Sequence, residues 1–232
     1  MSGGTEAVIR HHPSEATLVG YAAGTLWEAA KPVVAAHLAR CPDCRARLEL
    51  AEAVGGLLLE ELPPTPLDPD ALRRVMERLD DAPEPAAERI RDSAAEAPAL
   101  ARAAAEPLAT TLRGLGLPVR RPRWIAPGLR HAVLLHCGPG RGGGTVRLLR
   151  VRPGTAIPRH VHRGAELTLV LEGAFADETG RYGPGDLAEA EAEVSHRPVA
   201  EGPADCVCLV AAQGLPRFGG LLGRLLGTDG SI

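Results

Sequence analysis

Apolar residues in the first eighty positions recur at three- and four-residue spacing, the period of helices that bury one face. Ser14 is placed to N-cap a helix carrying Leu18, Val19 and Tyr21, and Gly24 to end it. A second helix is expected over 27–40, with Pro32 tolerated in its first turn and Val33, Val34, His37 and Leu38 on one face. Pro42 interrupts the chain, and a third helix beginning near Asp43 carries Leu48, Ala51, Val54 and Leu58. The fourth has the clearest start: Asp68 as N-cap, Pro69 at the first helical position and Asp70 in the first turn. Its residues Leu72, Val75, Met76 and Leu79 form one stripe, set apart from helix three by a Pro-rich segment over 62–67.

Over 82–107 this periodicity is lost in favour of Ala, Glu and Pro with a few Arg, with nascent helix at most over 94–106, and the stretch reads as a linker. Beyond Arg123 the texture changes to short strands, expected over 131–136, 145–151, 166–171, 174–177, 187–190 and 206–211. Turns at Pro139-Gly140, Pro153-Gly154 and Gly183-Pro184-Gly185 punctuate them, as in a sandwich or barrel. The chain is therefore expected to be a multidomain α + β protein: a four-helix unit over 1–81, a linker over 82–122 and a β-barrel over 123–232.

Composition narrows the picture. Aromatic residues are 3% of the chain against 45% hydrophobic overall, so the core must be built from Ala, Val and Leu. A net charge of -3 gives no bulk electrostatic case for nucleic acid. The N-terminal MSGGTEAVIRHHPSE lacks the continuous apolar segment of a signal peptide, and no run approaches the roughly 20 apolar residues of a membrane span. Five cysteines, two of them in a C-x2-C, argue against a secreted disulfide scaffold and for reduced thiols and metal. These features predict a cytoplasmic protein.

The chemistry-bearing residues fall into two groups. His37, Cys41 and Cys44 read H-x3-C-x2-C: His37 and Cys41 share the face of one helical turn, and Cys44 can converge on Cys41 from across Pro42. With a fourth ligand from His11 or His12, equally available by spacing, they would form a closed tetrahedral Zn2+ site of two thiolates and two imidazoles. A thioredoxin-like redox pair would need a strand-to-helix setting, which Cys41 lacks. The second group, Gly154, His160, His162, Glu166 and Gly173, reads G-x5-H-x-H-x3-E-x6-G. On a strand, both imidazoles project to one side.

This second string resembles the first motif of the cupin superfamily. The second cupin motif is met in part, by Pro184-Gly185 and by a late histidine, His196, which completes a His3Glu set. Fe, Mn, Ni and Zn all suit such a set, and an open position would permit catalysis without establishing it. Cys206 and Cys208 share a strand face and read as small core residues, with a redox-responsive pair as the other reading. His131, His136 and Cys137 have no spaced partners, and Arg113, Arg120, Arg121 and Arg123 read as a solvated linker end.

Taken together with Ile9-Arg-His-His12, Tyr21-Ala-Ala-Gly24, the 166–175 segment and Asp205-Cys-Val-Cys-Leu, the chain resembles the ChrR-type zinc-dependent anti-sigma factors. The resemblance implies an N-terminal zinc-bound helical domain that clamps an extracytoplasmic-function sigma factor. It also implies a C-terminal cupin barrel needed for response to singlet oxygen or related oxidants. By position it gives His12 rather than His11, with His37, Cys41 and Cys44, as ligands of the first Zn2+, and His160, His162, Glu166 and His196 as ligands of a second ion. No enzymatic activity, direct nucleic-acid contact or membrane contact is implied. The competing expectation is a cupin dioxygenase or isomerase with the helical unit as an accessory, against which the scarcity of aromatic residues counts. Direct DNA binding is disfavoured by Glu49, Glu52, Glu60 and Glu61.

Overall fold

Ser14 caps helix α1 (Glu15–Ala22), its Oγ accepting the N–H of Thr17 at 3.2 Å. The computed structural model describes residues 8–80, 108–138, 142–192, 194–214 and the backbone of 217–218. The segment expected as nascent helix over 94–106 and the Pro139-Gly140 turn lie outside the described residues. Helix α2 (Ala30–Leu38) starts later than the sequence suggests, because Trp27 closes a turn onto the N–H of Ala30 before the helix proper begins. Pro42 is the first residue of α3 (Pro42–Glu60), where its missing N–H costs nothing, and Cys41 is the N-cap. Helix α4 (Ala71–Asp80) starts two residues later than expected, because Asp68 organises a turn ahead of it, its Oδ1 accepting the N–H of Asp70 and its carbonyl that of Ala71, both at 2.8 Å.

One further helix, α5 (Leu108–Gly114), falls within the stretch expected as linker. It is packed structure: Leu112 and Leu117 are buried in the main core. Seven residues carry too little periodic signal to be read as a helix without the surface that receives them.

The C-terminal half is built from antiparallel strands. β2 (Leu129–Cys137), β3 (Gly144–Val151), β5 (Glu166–Glu172), β6 (Ala174–Asp177), β8 (Leu187–Ala190) and β11 (Cys206–Ala212) cover the six expected strands. Between them lie β1 (Arg123–Ala126), β4 (His160–Val161), β7 (Gly180–Tyr182), β9 (Ser195–His196), β10 (Val199–Glu201) and β12 (Arg217–Phe218), which the sequence pattern missed. Five of them have two or three residues, too few to display alternation, and β1 is exposed along its whole length and so carries no buried-face pattern. The strands form a six-stranded sheet in the order β1-β2-β3-β11-β5-β8 and two three-stranded sheets, β10-β6-β7 and β12-β4-β9.

At β5 and β11 the six-stranded sheet is buried on both faces. On β5 and β11, Leu167, Leu169, Val207, Leu209 and Ala211 point outward and join Val33, Val34 and Leu38 of α2 in one core. The alternate residues Val170, Cys206, Cys208 and Val210 point inward, with Phe175, Tyr182 and Ala200, to form the core of the barrel. This explains why β11 reads as an unbroken apolar run rather than an alternation. Cys206 and Cys208 are accordingly buried core residues, with their sulfurs 3.5 Å apart.

Gly173 makes the corner between β5 and β6 at φ +68°, and a Cβ there would lie 2.5 Å from the Asp205 carbonyl oxygen. Backbone strain and steric overlap act together at this position. Gly173→Ala is expected to cost about 2 kcal/mol or more, seen as a melting temperature lower by roughly 4–8 °C. An unchanged melting temperature would refute the assignment of strain to this corner.

Candidate metal centres

The last turn of α2 and the first turn of α3 bring His37, Cys41 and Cys44 together, and the extended segment before α1 delivers His12. His37 Nε2 lies 3.3 Å from Cys44 Sγ, and His12 Nδ1 lies 3.3 Å from both Cys41 Sγ and Cys44 Sγ. All four donor atoms fall within 4.8 Å of one another. With Zn–S and Zn–N bonds of about 2.3 and 2.05 Å, a tetrahedron has N···S edges of about 3.5 Å, so this group suits a closed four-coordinate ion. Burial holds His37 well below its usual range, at about 4, which leaves it neutral and free to ligate at physiological pH. Burial and the neighbouring Cys41 push the Cys44 thiol well up. A buried thiol of this kind releases its proton when a metal cation takes its place.

The orientation of this group comes from the barrel. His37 Nδ1–H donates to the carbonyl of Gly185 at 2.8 Å, which fixes the tautomer and frees Nε2. Gly185 has φ +90°, and Ile9 packs so closely that a Cβ there would sit 2.7 Å from its side chain. The next residue, Asp186, accepts the backbone N–H of Arg10 at 2.6 Å, of His11 at 3.0 Å and of Gly183 at 2.8 Å, while Leu187 N–H donates back to the His11 carbonyl at 3.1 Å. Burial alone would raise the Asp186 carboxyl; these N–H bonds outweigh it and hold the carboxyl below its ordinary range. His11 is thereby turned onto the barrel, its Nδ1 3.5 Å from Asp186 Oδ2, and His12 faces the thiols.

The second group lies inside the barrel. Pairing of β4 with β9 sets His160 directly opposite His196, and His162 follows at the end of β4. His196 Nε2 is 3.1 Å from His160 Nε2 and 3.0 Å from His162 Nε2, and Glu166 Oε2 is 3.2 Å from His162 Nδ1. Two of the rings are held from behind: His160 Nδ1–H donates to the Pro158 carbonyl and His196 Nδ1–H to Asp177 Oδ2, both at 2.9 Å. Burial, then the neighbouring rings, hold His162 at about 4, and burial raises Glu166 to about 7. Three imidazoles, two of them (His160 and His162) kept from protonating by burial, and a carboxyl reluctant to ionise alone form a set that a divalent cation would stabilise. Burial alone would raise the Asp177 carboxyl, but hydrogen bonds from Thr179 and His196 outweigh it and hold it low. A cavity of about 150 Å³ opens beside the group, lined among others by His160, Glu166 and His196.

Residues 121–216 match the family model described as the ChrR cupin-like domain. Over 219 residues the chain is 46% identical to the anti-sigma-E factor ChrR of Cereibacter sphaeroides, covering 94% of this chain and 96% of that protein. The chain belongs to the ChrR family. A solved structure of Rhodobacter sphaeroides SigE in complex with the anti-sigma ChrR is also similar, with a TM-score of 0.66 at 44% identity. That match covers 88% of this chain and 99% of the solved one.

All eight residues singled out from the sequence of this ChrR-family chain thus converge in two groups of four. Sequence reasoning gave Gly185 a turn only and missed Asp186 and Asp177; all three position the histidines. Asp186 follows the Pro184-Gly185 turn directly, and that turn was the one signal available. No helix among the described residues is long and apolar enough to cross a membrane.

Proposed function

We propose that the chain is an anti-sigma factor that sequesters an extracytoplasmic-function sigma factor in the cytoplasm, not an enzyme. The helical unit over 1–81 would hold the sigma factor, the 82–122 segment would connect, and the cupin barrel over 123–232 would govern release. The observation that carries this reading is 46% identity, over 94% of the chain, to the anti-sigma-E factor ChrR of Cereibacter sphaeroides. Surface apolarity supports it: Val54, Leu57 and Leu58 of α3 and Leu72, Val75, Met76 and Leu79 of α4 are exposed by 48–73%. Apolar helix faces of this kind fit a protein partner, and the similar solved chain is in complex with SigE.

His12, His37, Cys41 and Cys44 are assigned as ligands of a structural Zn2+, since mixed thiolate and imidazole donors with no open position suit that ion. His160, His162, Glu166 and His196 are assigned to a second divalent ion, taken as Zn2+, which would supply a Lewis-acid centre. Release on an oxidative, singlet-oxygen-like signal is assigned to this barrel group. Glu166 stands opposite Ala190 in the β5–β8 pair, and Leu169 opposite Leu187, so one strand pair joins the barrel group to Asp186 and the His37 contact.

Val75→Asp is expected to weaken co-purification of the sigma factor by about thirtyfold or more, the scale of an interface hot spot. Fold and metal content should be unchanged, since Val75 is exposed. Normal binding by the folded variant would remove α4 from the interface. Absence of any sigma factor from a native-host pull-down would overturn the reading as a whole. His160→Ala with His162→Ala is expected to keep sigma binding and lose release, followed with a sigma-dependent reporter under a photosensitiser. Iron or nickel in the barrel together with substrate turnover would instead favour the dioxygenase or isomerase alternative.

A further inference from the structure

The barrel cavity has a feature that the metal group does not use. Arg147 lines it from β3, in register with Val210 of β11, which in turn faces Thr168 of β5. The three residues form one row across the inner face, next to the row of Thr145, Ala212 and Glu166. Arg147 Nε is buried and has no hydrogen-bond partner among the described residues. Glu166 acts on Arg147 through its charge but makes no hydrogen bond to it; its oxygens are engaged by Thr168 at 3.3 Å and His162 at 3.2 Å. Asp177, the other carboxylate near the histidines, is held by Thr179 and His196. A guanidinium with an unmet donor inside a barrel calls for an anion, and its planar fork matches a carboxylate.

Most of the remaining wall is apolar, with Leu129, Leu149, Val151, Ile157 and Phe175 among its residues, and His131, Thr168, Asp177, Thr179 and Glu189 are its polar members. Its largely apolar character excludes a highly charged ligand such as a polyphosphate. A cavity of about 150 Å³ is the size that accommodates a benzene ring. We propose that the barrel binds a small monocarboxylate with an apolar body, its carboxylate on Arg147 beside the His/Glu group and its body against Leu149, Ile157 and Phe175. This site is independent of sigma binding and stands whether or not the anti-sigma reading does.

The test is calorimetric titration of the full-length, metal-loaded protein with benzoate, with benzyl alcohol as the uncharged counterpart. Benzoate should bind saturably, about tenfold to a hundredfold more tightly than benzyl alcohol, as charge-assisted hydrogen bonds predict. Arg147→Met, which keeps the apolar stem, should remove that advantage and leave benzyl alcohol unaffected. Ile157→Phe, which fills the cavity and leaves Arg147 in place, should abolish binding of both; it serves as the second variant should Arg147→Met fail to fold. No saturable benzoate binding at millimolar concentration, equal affinity for the two probes, or full benzoate affinity in folded Arg147→Met would each overturn the assignment.

Discussion

Cys41→Ser combined with His37→Ala is expected to remove one equivalent of metal per chain and, in the same step, sigma-factor binding. The size of the effect follows from how little else holds the bundle. A structural Zn2+ contributes about 10–16 kcal/mol to the folding of small domains, comparable to or larger than the whole stability of about 5–15 kcal/mol that a domain has. The buried face of α2, Val33 and Val34 included, shares its core with the sheet, so few apolar contacts join α2 to α3 directly. Without the ion the side chains of the two cysteines and two histidines are left to pair with one another and with the Gly185 carbonyl. The double variant also removes the His37 contact to Gly185. Metal analysis and co-purification on one sample provide the check: sigma binding that survives complete loss of this metal would show that the site is dispensable for the clamp.

Asp186→Ala should have the second-largest effect, although Asp186 belongs to neither metal group. Its carboxylate receives the N–H groups of Arg10, His11 and Gly183, and it is 3% exposed. Leaving buried donors unmet costs about 1–3 kcal/mol each. A total near 3 kcal/mol remains if water reaches some of them, equivalent to a melting temperature lower by roughly 6–12 °C in a protein of this length. The more specific expectation is that residues 9–12 lose hydrogen-exchange protection and that the first metal is held more weakly, because His12 is delivered by this segment. Glu189→Gln is the control, since among the described residues the Glu189 carboxylate holds only the exposed N–H of Ser14. If Asp186→Ala lowers stability but leaves metal affinity as in Glu189→Gln, the barrel turn does not position His12.

What could be read from the sequence was local. His37, Cys41 and Cys44 are close along one helix–turn–helix, so their spacing already describes their convergence. Ser14, Gly24 and the six strands read from the pattern are likewise set by nearest-neighbour chemistry. What could not be read depends on distant pairing. The choice between His11 and His12 rests on Asp186, 175 residues away from His11. His196 lies off the expected motif position, and only the β4–β9 pairing places it against His160. Leu112 and Leu117 lie in a stretch with linker-like composition, and only the core that receives them gives the short α5 its place.

The seam between α2 and the strands β5 and β11 has a consequence for how this family can diversify. Helix α2 supplies His37 at its last turn and lays its apolar residues on Leu167, Leu169 and Leu209. The barrel is therefore not an interchangeable cassette. A chimera that joins the helices of one relative to the barrel of another should fold only when α2, β5, β11 and the Gly183–Asp186 turn come from the same parent. Across relatives, substitutions at Val33 or Val34 should be matched by compensating changes at Leu167 or Leu209, whereas α4, free of the seam, can drift to suit a new partner.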